Sequence, residues 1–268
     1  MAIPFIMYAL AAFVTGSVWV TLSTIIAERL GQGLGGLIIG LPSTTVVSFL
    51  FIALSESIPF AVQATTIFPM IYGFTGVFLA LYAALSIRRG FAFGIALPMV
   101  LWAALSAIAI SFDFGFVASF LSYVALLLLS LYIFRFARSP RRMRATRIDG
   151  ARTPVQIAWR AIISGAITIV AVVASWIGGP VFGGVFSAFP AGFIAGLIIV
   201  NRTEGTAFSA GMAKPMMLSG LLTSVPYALT IRLAYPAFGI LIGSLVAYGV
   251  SILVAVPVYE IIKSERAG

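Results

Sequence analysis

The 268-residue chain contains neither cysteine nor histidine. Their absence excludes disulfide bonds, thiolate chemistry, cysteine- or histidine-ligated zinc and nucleophilic catalysis of the Ser-His or Cys-His type. Charge is also scarce, because Asp, Glu, Lys and Arg together make up 9% of the residues. We therefore expect no catalytic residues, no metal and no cofactor, and we expect that the protein is not an enzyme.

Apolar residues dominate instead, at 62% of the chain, with a mean hydropathy of +1.15. A soluble core cannot bury that much apolar surface, so the composition predicts an all-α polytopic membrane protein. Apolar segments between clusters of Gly, Pro and charge predict about nine transmembrane helices. They lie at about 4–26, 34–54, 58–89, 91–110, 114–134, 161–177, 181–200, 206–231 and 238–262. The first is expected to be a retained span rather than a signal peptide, because no basic region or Ala-x-Ala site accompanies it.

Two stretches of the sequence match each other in a fixed register. Glu56 and Glu204 are 148 positions apart (204 − 56), and the same offset relates Pro42 to Pro190. The other matches at this offset are a Gly-Gly pair and a phenylalanine, namely Gly35, Gly36 and Phe60 with Gly183, Gly184 and Phe208. A fixed-register self-match indicates an internal repeat. We predict a first four-helix repeat in residues 1–112, a linking helix with a basic loop in 113–156, and a second four-helix repeat in 157–268.

The single linking helix decides how the repeats are oriented. Four crossings return the chain to its starting side, and the fifth carries it to the opposite side before the second repeat begins. The two repeats are therefore expected to be inverted, an arrangement typical of secondary transporters.

The distribution of positive charge predicts the orientation in the membrane. With the N-terminus outside and the C-terminus in the cytoplasm, only Arg232 lies on the outside. The cytoplasmic side then holds the remaining basic residues of the loops, at Arg29, Arg88, Arg89, 135–160, Arg202, Lys263 and Arg266. This is the positive-inside pattern of a protein of the cell inner membrane. The basic loop at 135–160 is expected to contact anionic lipid headgroups rather than nucleic acid.

Each repeat has a proline inside its second span. Pro42 and Pro190 each remove a backbone donor, which predicts a kinked or split helix. Membranes tolerate such breaks where the freed groups are buried in protein or line a cavity. We expect the two breaks to form a central substrate site, with the hydroxyls of Ser43, Thr44 and Thr45 capping a half-helix.

Glu56 and Glu204 follow the broken spans and open the next ones. As residues lining the central site, they are candidates for substrate binding, or for proton coupling if burial raises their pKa values. The alternative is that each carboxylate lies in a short interfacial loop and caps the following helix.

Lys214 lies within the predicted span 206–231, and an ionisable residue inside a membrane span is a candidate for function. It is expected to bind an anionic substrate or to pair with Glu204 or Glu56. The alternative is that the side chain snorkels to an interface.

The stretch from Pro190 to Tyr227 resembles the GlpM family of small bacterial inner-membrane proteins with about four spans. The resemblance depends on Pro190 in an apolar span, Thr203-Glu204-Gly205, and Pro226-Tyr227. In the first repeat Ser55-Glu56-Ser57 replaces the Thr-Glu-Gly pattern, and no Pro-Tyr pair is present. The resemblance implies a tandem, double-length relative and implies no substrate.

The sequence thus predicts a secondary membrane transporter for a small molecule or ion, with proton coupling as one option. The alternative is a channel-like protein, or a membrane scaffold that assists envelope or lipid metabolism without transport.

Overall fold

The computed structural model of the protein describes residues 2–29, 31–136 and 154–267, and every regular element in these ranges is a helix. The predicted basic loop lies mostly outside the described residues. The helices are α1 Ala2–Arg29, α2 Gly31–Gly40, α3 Ser43–Ser55, α4 Ile58–Ala64, α5 Phe68–Arg89, α6 Phe91–Ile110, α7 Phe116–Phe136, α8 Pro154–Ser187, α9 Ala191–Glu204 and α10 Thr206–Ala267.

Six helical segments within the described ranges are long and apolar enough to cross a membrane. The predicted class, a helical membrane protein, is confirmed at this level. These segments differ in how far they are buried inside the protein. The apolar window of α5 is 72% buried, whereas the windows of α6 and α7 are 28% and 17% buried. The core is therefore built around α5, and α6 and α7 present large apolar side chains, such as Val100 and Leu128, on the outer surface of the protein.

Two long helices contain a residue with non-helical backbone angles. Gly179 has a φ of 82° inside α8, and Gly239 has a φ of 77° inside α10. Only glycine adopts positive φ readily, so these positions allow the chain to turn between two helical stretches. α10 has 62 residues, which corresponds to roughly 90 Å of helix and about three times the thickness of the hydrocarbon core. The turn at Gly239 divides it into two stretches that are each long enough to cross.

Helix boundaries fall at both prolines that the sequence singled out. α2 ends at Gly40 and α3 begins at Ser43, and α8 ends at Ser187 and α9 begins at Ala191.

The backbone takes the same path at the two breaks. At the first, Leu41 N–H donates to Ile38 O, Ser43 N–H to Leu41 O and Val46 N–H to Pro42 O. At the second, Phe189 N–H donates to Phe186 O, Ala191 N–H to Phe189 O and Ile194 N–H to Pro190 O. Each of these three bonds recurs at the offset of 148 (for example 194 − 46). The sequence match therefore corresponds to a matching local structure.

The two broken segments run antiparallel to each other. Gly196 of α9 packs against Ile39 of α2, and Gly183 of α8 packs against Ile52 of α3. Between these contacts, the Thr45 hydroxyl donates to the Ser187 carbonyl oxygen at 3.5 Å. The residue numbers of these contacts rise along the first segment while they fall along the second. α3 therefore lies beside the end of α8, and α9 lies beside α2.

Candidate functional site

The breaks free backbone carbonyls inside the protein, and hydroxyls from the other half of the chain satisfy them. In a continuous helix, Leu37 O would accept the N–H of Leu41, but that N–H bonds to Ile38 O instead. Ser219 Oγ of α10 donates to Leu37 O at 2.6 Å. At the second break, Thr75 Oγ1 of α5 donates to Ala188 O at 3.0 Å. A buried carbonyl without a partner is costly in lipid, so these hydroxyls allow the helices to be broken there.

A second layer of hydrogen bonds supports these contacts. The Trp102 indole N–H of α6 donates to Thr75 Oγ1 at 3.0 Å, and Ser224 Oγ donates to the Tyr72 hydroxyl at 2.9 Å. Tyr123 of α7 donates to Leu221 O at 3.0 Å. The hydroxyl of Ser187, beside the second break, is buried and has no hydrogen-bond partner among the described residues. The breaks are thus surrounded by a polar layer within an otherwise apolar core.

The half-helices α3 and α9 both begin at this layer. Their first-turn N–H groups lack intrahelical acceptors, and the N-terminal end of a helix carries partial positive charge. The second residue is Thr44 in α3 and Gly192 in α9, which are 148 positions apart (192 − 44). Both are half-buried, although the residues on either side of each are buried. No atom of the described residues lies within 4 Å of the position that a Cβ on Gly192 would occupy. The start of α9 therefore borders open space.

The three hydroxyl residues after Pro42 do not cap α3 as the sequence suggested. Pro42 itself occupies the N-cap position, and no side chain makes the capping bond. Ser43 and Thr45 are buried in the first turn. Thr45 instead donates to Ser187 O of the other broken segment, because the close antiparallel packing brings that carbonyl within its reach.

Glu56 and Glu204 lie at opposite ends of the paired segments. Glu56 follows α3, which has 13 residues, and Glu204 is the last of the 14 residues of α9. Each carboxylate is thus roughly 20 Å along a helix from its break. Because the segments are antiparallel, the structure does not bring the two carboxylates together, and it places neither of them at the breaks.

Glu56 is not the N-cap of α4, the role that the alternative interpretation gave it. Ser57 occupies that N-cap position, and its hydroxyl accepts the Phe60 N–H at 3.3 Å. Glu204 belongs to the C-terminal turn of α9, where Gly205 is the C-cap.

Lys214 lies closer to a break than either glutamate does. It is half-buried on α10, two residues before Met216. The Met216 carbonyl oxygen would lie 2.8 Å from a Cβ on Gly40, the last residue of α2. α10 therefore passes the first break at close range, and Lys214 is within one helical turn of that contact.

Arg232, which the sequence predicts on the outer side of the membrane, lies at the centre of a cluster of polar groups. Its Nη1 donates to Val62 O, Thr65 Oγ1 and Thr66 Oγ1 at 3.1–3.2 Å. Its guanidinium carbon lies 4.6 Å from the centroid of the Phe116 ring. The one available signal was that Arg232 is the sole basic residue on the predicted outer side.

No protein-family model, curated protein or solved structure matches the chain. Among the described residues, no three acidic, histidine or cysteine side chains lie together as a metal site would require.

Glu56 is expected to make the stability of the protein decrease as pH rises. One oxygen of this carboxylate is buried without a partner among the described residues, and burial raises the pKa of Glu56 above its ordinary value of 4.5. The folded state then holds the proton more tightly than the unfolded state does. The contribution of Glu56 to stability is therefore present below pH 4.5 and is lost as pH rises through the folded-state pKa. We expect Glu56→Gln to raise the melting temperature relative to the wild type increasingly as pH rises towards neutrality.

The measurement is a thermal melt in detergent at several pH values between 4 and 8. The control is Glu260→Gln, which removes a carboxylate whose side chain is 62% exposed. We expect the curve of this control to run parallel to that of the wild type. A Glu56→Gln curve that is also parallel to the wild type would contradict the burial of that carboxylate.

Proposed function

We propose that the protein is a secondary transporter of a small solute in the cell inner membrane. It has nine transmembrane helices in two inverted four-helix repeats, residues 1–112 and 157–268, which are joined through α7. The N-terminus is outside and the C-terminus is cytoplasmic. The central site lies where the breaks at Pro42 and Pro190 meet, between the starts of α3 and α9.

The observation that carries the proposal is the reciprocal satisfaction of the two breaks. Thr75, in the first repeat, bonds the freed carbonyl of Ala188, and Ser219, in the second repeat, bonds the freed carbonyl of Leu37. Two half-helices with inward starts, related by inversion, are the usual way in which transporters form a solute site. A purely structural membrane scaffold has no physical need for two matched breaks in its core.

The geometry changes which residues we assign to this site. Thr44, Thr45, Ser187 and Gly192 line the proposed solute position, with Ser43 beside them. Lys214 is assigned to this site as a source of positive charge, because α10 passes the first break within one helical turn of it. Glu56 and Glu204 are assigned to the two ends of the path, where Glu56 remains a candidate for proton coupling. The resemblance to the GlpM family stays a prediction and adds no solute.

Cysteine accessibility tests the proposal directly, because the chain has no cysteine and any introduced thiol is unique. We expect Thr44→Cys and Gly192→Cys to react with a membrane-impermeant thiol reagent, from outside in whole cells and from inside in inverted vesicles. A transported solute should slow both reactions. Ala80→Cys, at a fully buried position of α5, is the matched control and should not react.

The other outcomes separate the alternatives. If Thr44→Cys and Gly192→Cys react from neither side, the protein has no aqueous central site, and a scaffold role is favoured. If both react rapidly from both sides and no candidate solute slows them, a channel-like pore is favoured. Either result would contradict the transporter proposal.

A further inference from the structure

Arg232 is a half-buried cation whose partners within the described residues are all neutral. The guanidinium bonds two threonine hydroxyls and one carbonyl and lies over the Phe116 ring. Asp113, in the nearby α6–α7 loop, is exposed and forms no ion pair with it. Removing a guanidinium from water is costly unless an anion compensates it. The site therefore has a positive charge without a protein counter-ion among the described residues.

The geometry of the guanidinium suits a two-point ligand. Its hydrogen bonds to the described residues all come from Nη1, which leaves the Nη2 and Nε donors for a ligand. These two donors point along one edge of a planar group and match the two oxygens of a carboxylate or phosphate. The threonine hydroxyls and the aromatic ring hold the plane in place, so little conformational entropy is lost on binding.

The site is linked mechanically to the second break. Thr65 and Thr66 belong to the short connection between α4 and α5. The neighbouring Ile67 and Ala64 pack directly against Gly184, four residues before Ala188 in α8. A ligand that draws Arg232 and this connection together therefore acts on the end of α8, which leads directly to the freed carbonyl of Ala188.

We propose that Arg232, with Thr65 and Thr66, binds a carboxylate or phosphate group at the outer mouth of the central site. Where this group belongs to a free solute, a small oxyanion is the substrate class. The inference rests on the proposed transporter function for its link to transport, and the binding itself does not require it. The ligand group belongs either to a free solute or to the headgroup of an anionic lipid.

The test titrates the full-length protein in lipid-free neutral detergent with inorganic phosphate and with succinate, by isothermal calorimetry. A parallel arm uses micelles that contain phosphatidylglycerol. We expect saturable binding of at least one probe, weakening as sodium chloride is raised. Arg232→Gln should weaken it at least tenfold. Arg88→Gln, which removes an exposed arginine at the end of α5, should change it less than twofold.

The arms distinguish the sources and the alternatives. Binding of phosphate or succinate supports a free solute, and binding of phosphatidylglycerol alone supports a headgroup. The absence of binding to any probe, or equal binding by Arg232→Gln, overturns the proposal. If Arg232→Gln does not fold, Arg232→Lys tests the proposal instead, because lysine keeps the positive charge and lacks the paired Nε and Nη2 donors. Unchanged affinity in Arg232→Lys overturns the proposal, and an affinity at least fivefold weaker supports it.

Failure here is distinguishable from failure of the transporter proposal. Oxyanion binding at Arg232 without reaction of the central cysteines supports a site and contradicts transport. Reactive, solute-protected cysteines with no oxyanion binding support transport and contradict the assigned substrate class.

Discussion

Replacing Gly184 by alanine is expected to lower the free energy of unfolding by roughly 1–3 kcal/mol, the cost of overpacking a core. A Cβ at this position would collide with the Ala64 carbonyl oxygen and would lie 2.8 Å from Cγ2 of Ile67. The carbonyl is part of the backbone and cannot rotate away as a side chain would. α8 and the α4–α5 connection would have to separate, which disturbs both the second break and the Arg232 site. The measurement is an SDS titration of unfolding in mixed micelles.

Gly192→Ala is the matched control, because the same substitution is made at a glycine of the following helix. No atom of the described residues lies within 4 Å of that Cβ. Alanine also loses less backbone entropy on folding than glycine, by roughly 0.5–1 kcal/mol. We expect Gly192→Ala to be as stable as the wild type or more stable. If Gly184→Ala and Gly192→Ala have the same free energy of unfolding, then either Gly184 is not closely packed or Gly192 does not border open space.

The helix breaks could be predicted because their cause is local. A proline lacks the N–H that continues the helical ladder, and its ring clashes with the preceding turn. The sequence therefore places the ends of α2 and α8 within a few residues. An apolar helix was likewise expected at 114–134 and is found at Phe116–Phe136, since the length of such a helix is set by the thickness of the bilayer.

The location of Glu56 and Glu204 could not be read from their matching register. A repeat tells which residues are equivalent, and an inversion sends equivalent residues to opposite ends. A helix of 13 or 14 residues is already more than half a bilayer thickness. Residues that close such helices cannot share a site at their starts. The sequence supports equivalence of the two carboxylates, and the antiparallel packing separates them.

The partners of the freed carbonyls and of Arg232 were also beyond the sequence. Ser219 and Leu37 are 182 positions apart, and Arg232 and Thr66 are 166 apart. A serine or threonine in an apolar helix bonds most often to its own preceding turn. Nothing in the local pattern distinguishes such a hydroxyl from Thr75, which reaches another helix. These contacts depend on how the two halves pack.

The hydroxyl of Thr75 is expected to be the most important single polar group at the breaks. It accepts the Trp102 indole N–H and donates to the Ala188 carbonyl, both at 3.0 Å in buried surroundings. Thr75→Val keeps the shape of the side chain and removes both bonds. A buried group left without its partner costs about 1–3 kcal/mol. Two groups lose their partner, so we expect Thr75→Val to lose roughly 2–6 kcal/mol of stability, measured by the same SDS titration. We also expect it to increase the reactivity of Gly192→Cys as the second break loosens.

Thr223→Val is the matched control, because Thr223 lies 148 positions from Thr75 (223 − 75) on the equivalent helix. Its hydroxyl donates to Ser219 O within its own helix at 2.7 Å. The bond from Ser251 goes to the Thr223 main-chain oxygen, which valine retains. We expect a loss of less than about 1 kcal/mol, since no buried group on another helix is orphaned.

The double variant Thr75→Val/Trp102→Phe tests the coupling between these two side chains. Trp102→Phe removes the N–H that Thr75→Val leaves without a partner. The double variant should therefore lose less stability than the sum of the losses in the two single variants. Strict additivity, or equal losses in Thr75→Val and Thr223→Val, would show that the Trp102–Thr75–Ala188 connection does not hold the second break.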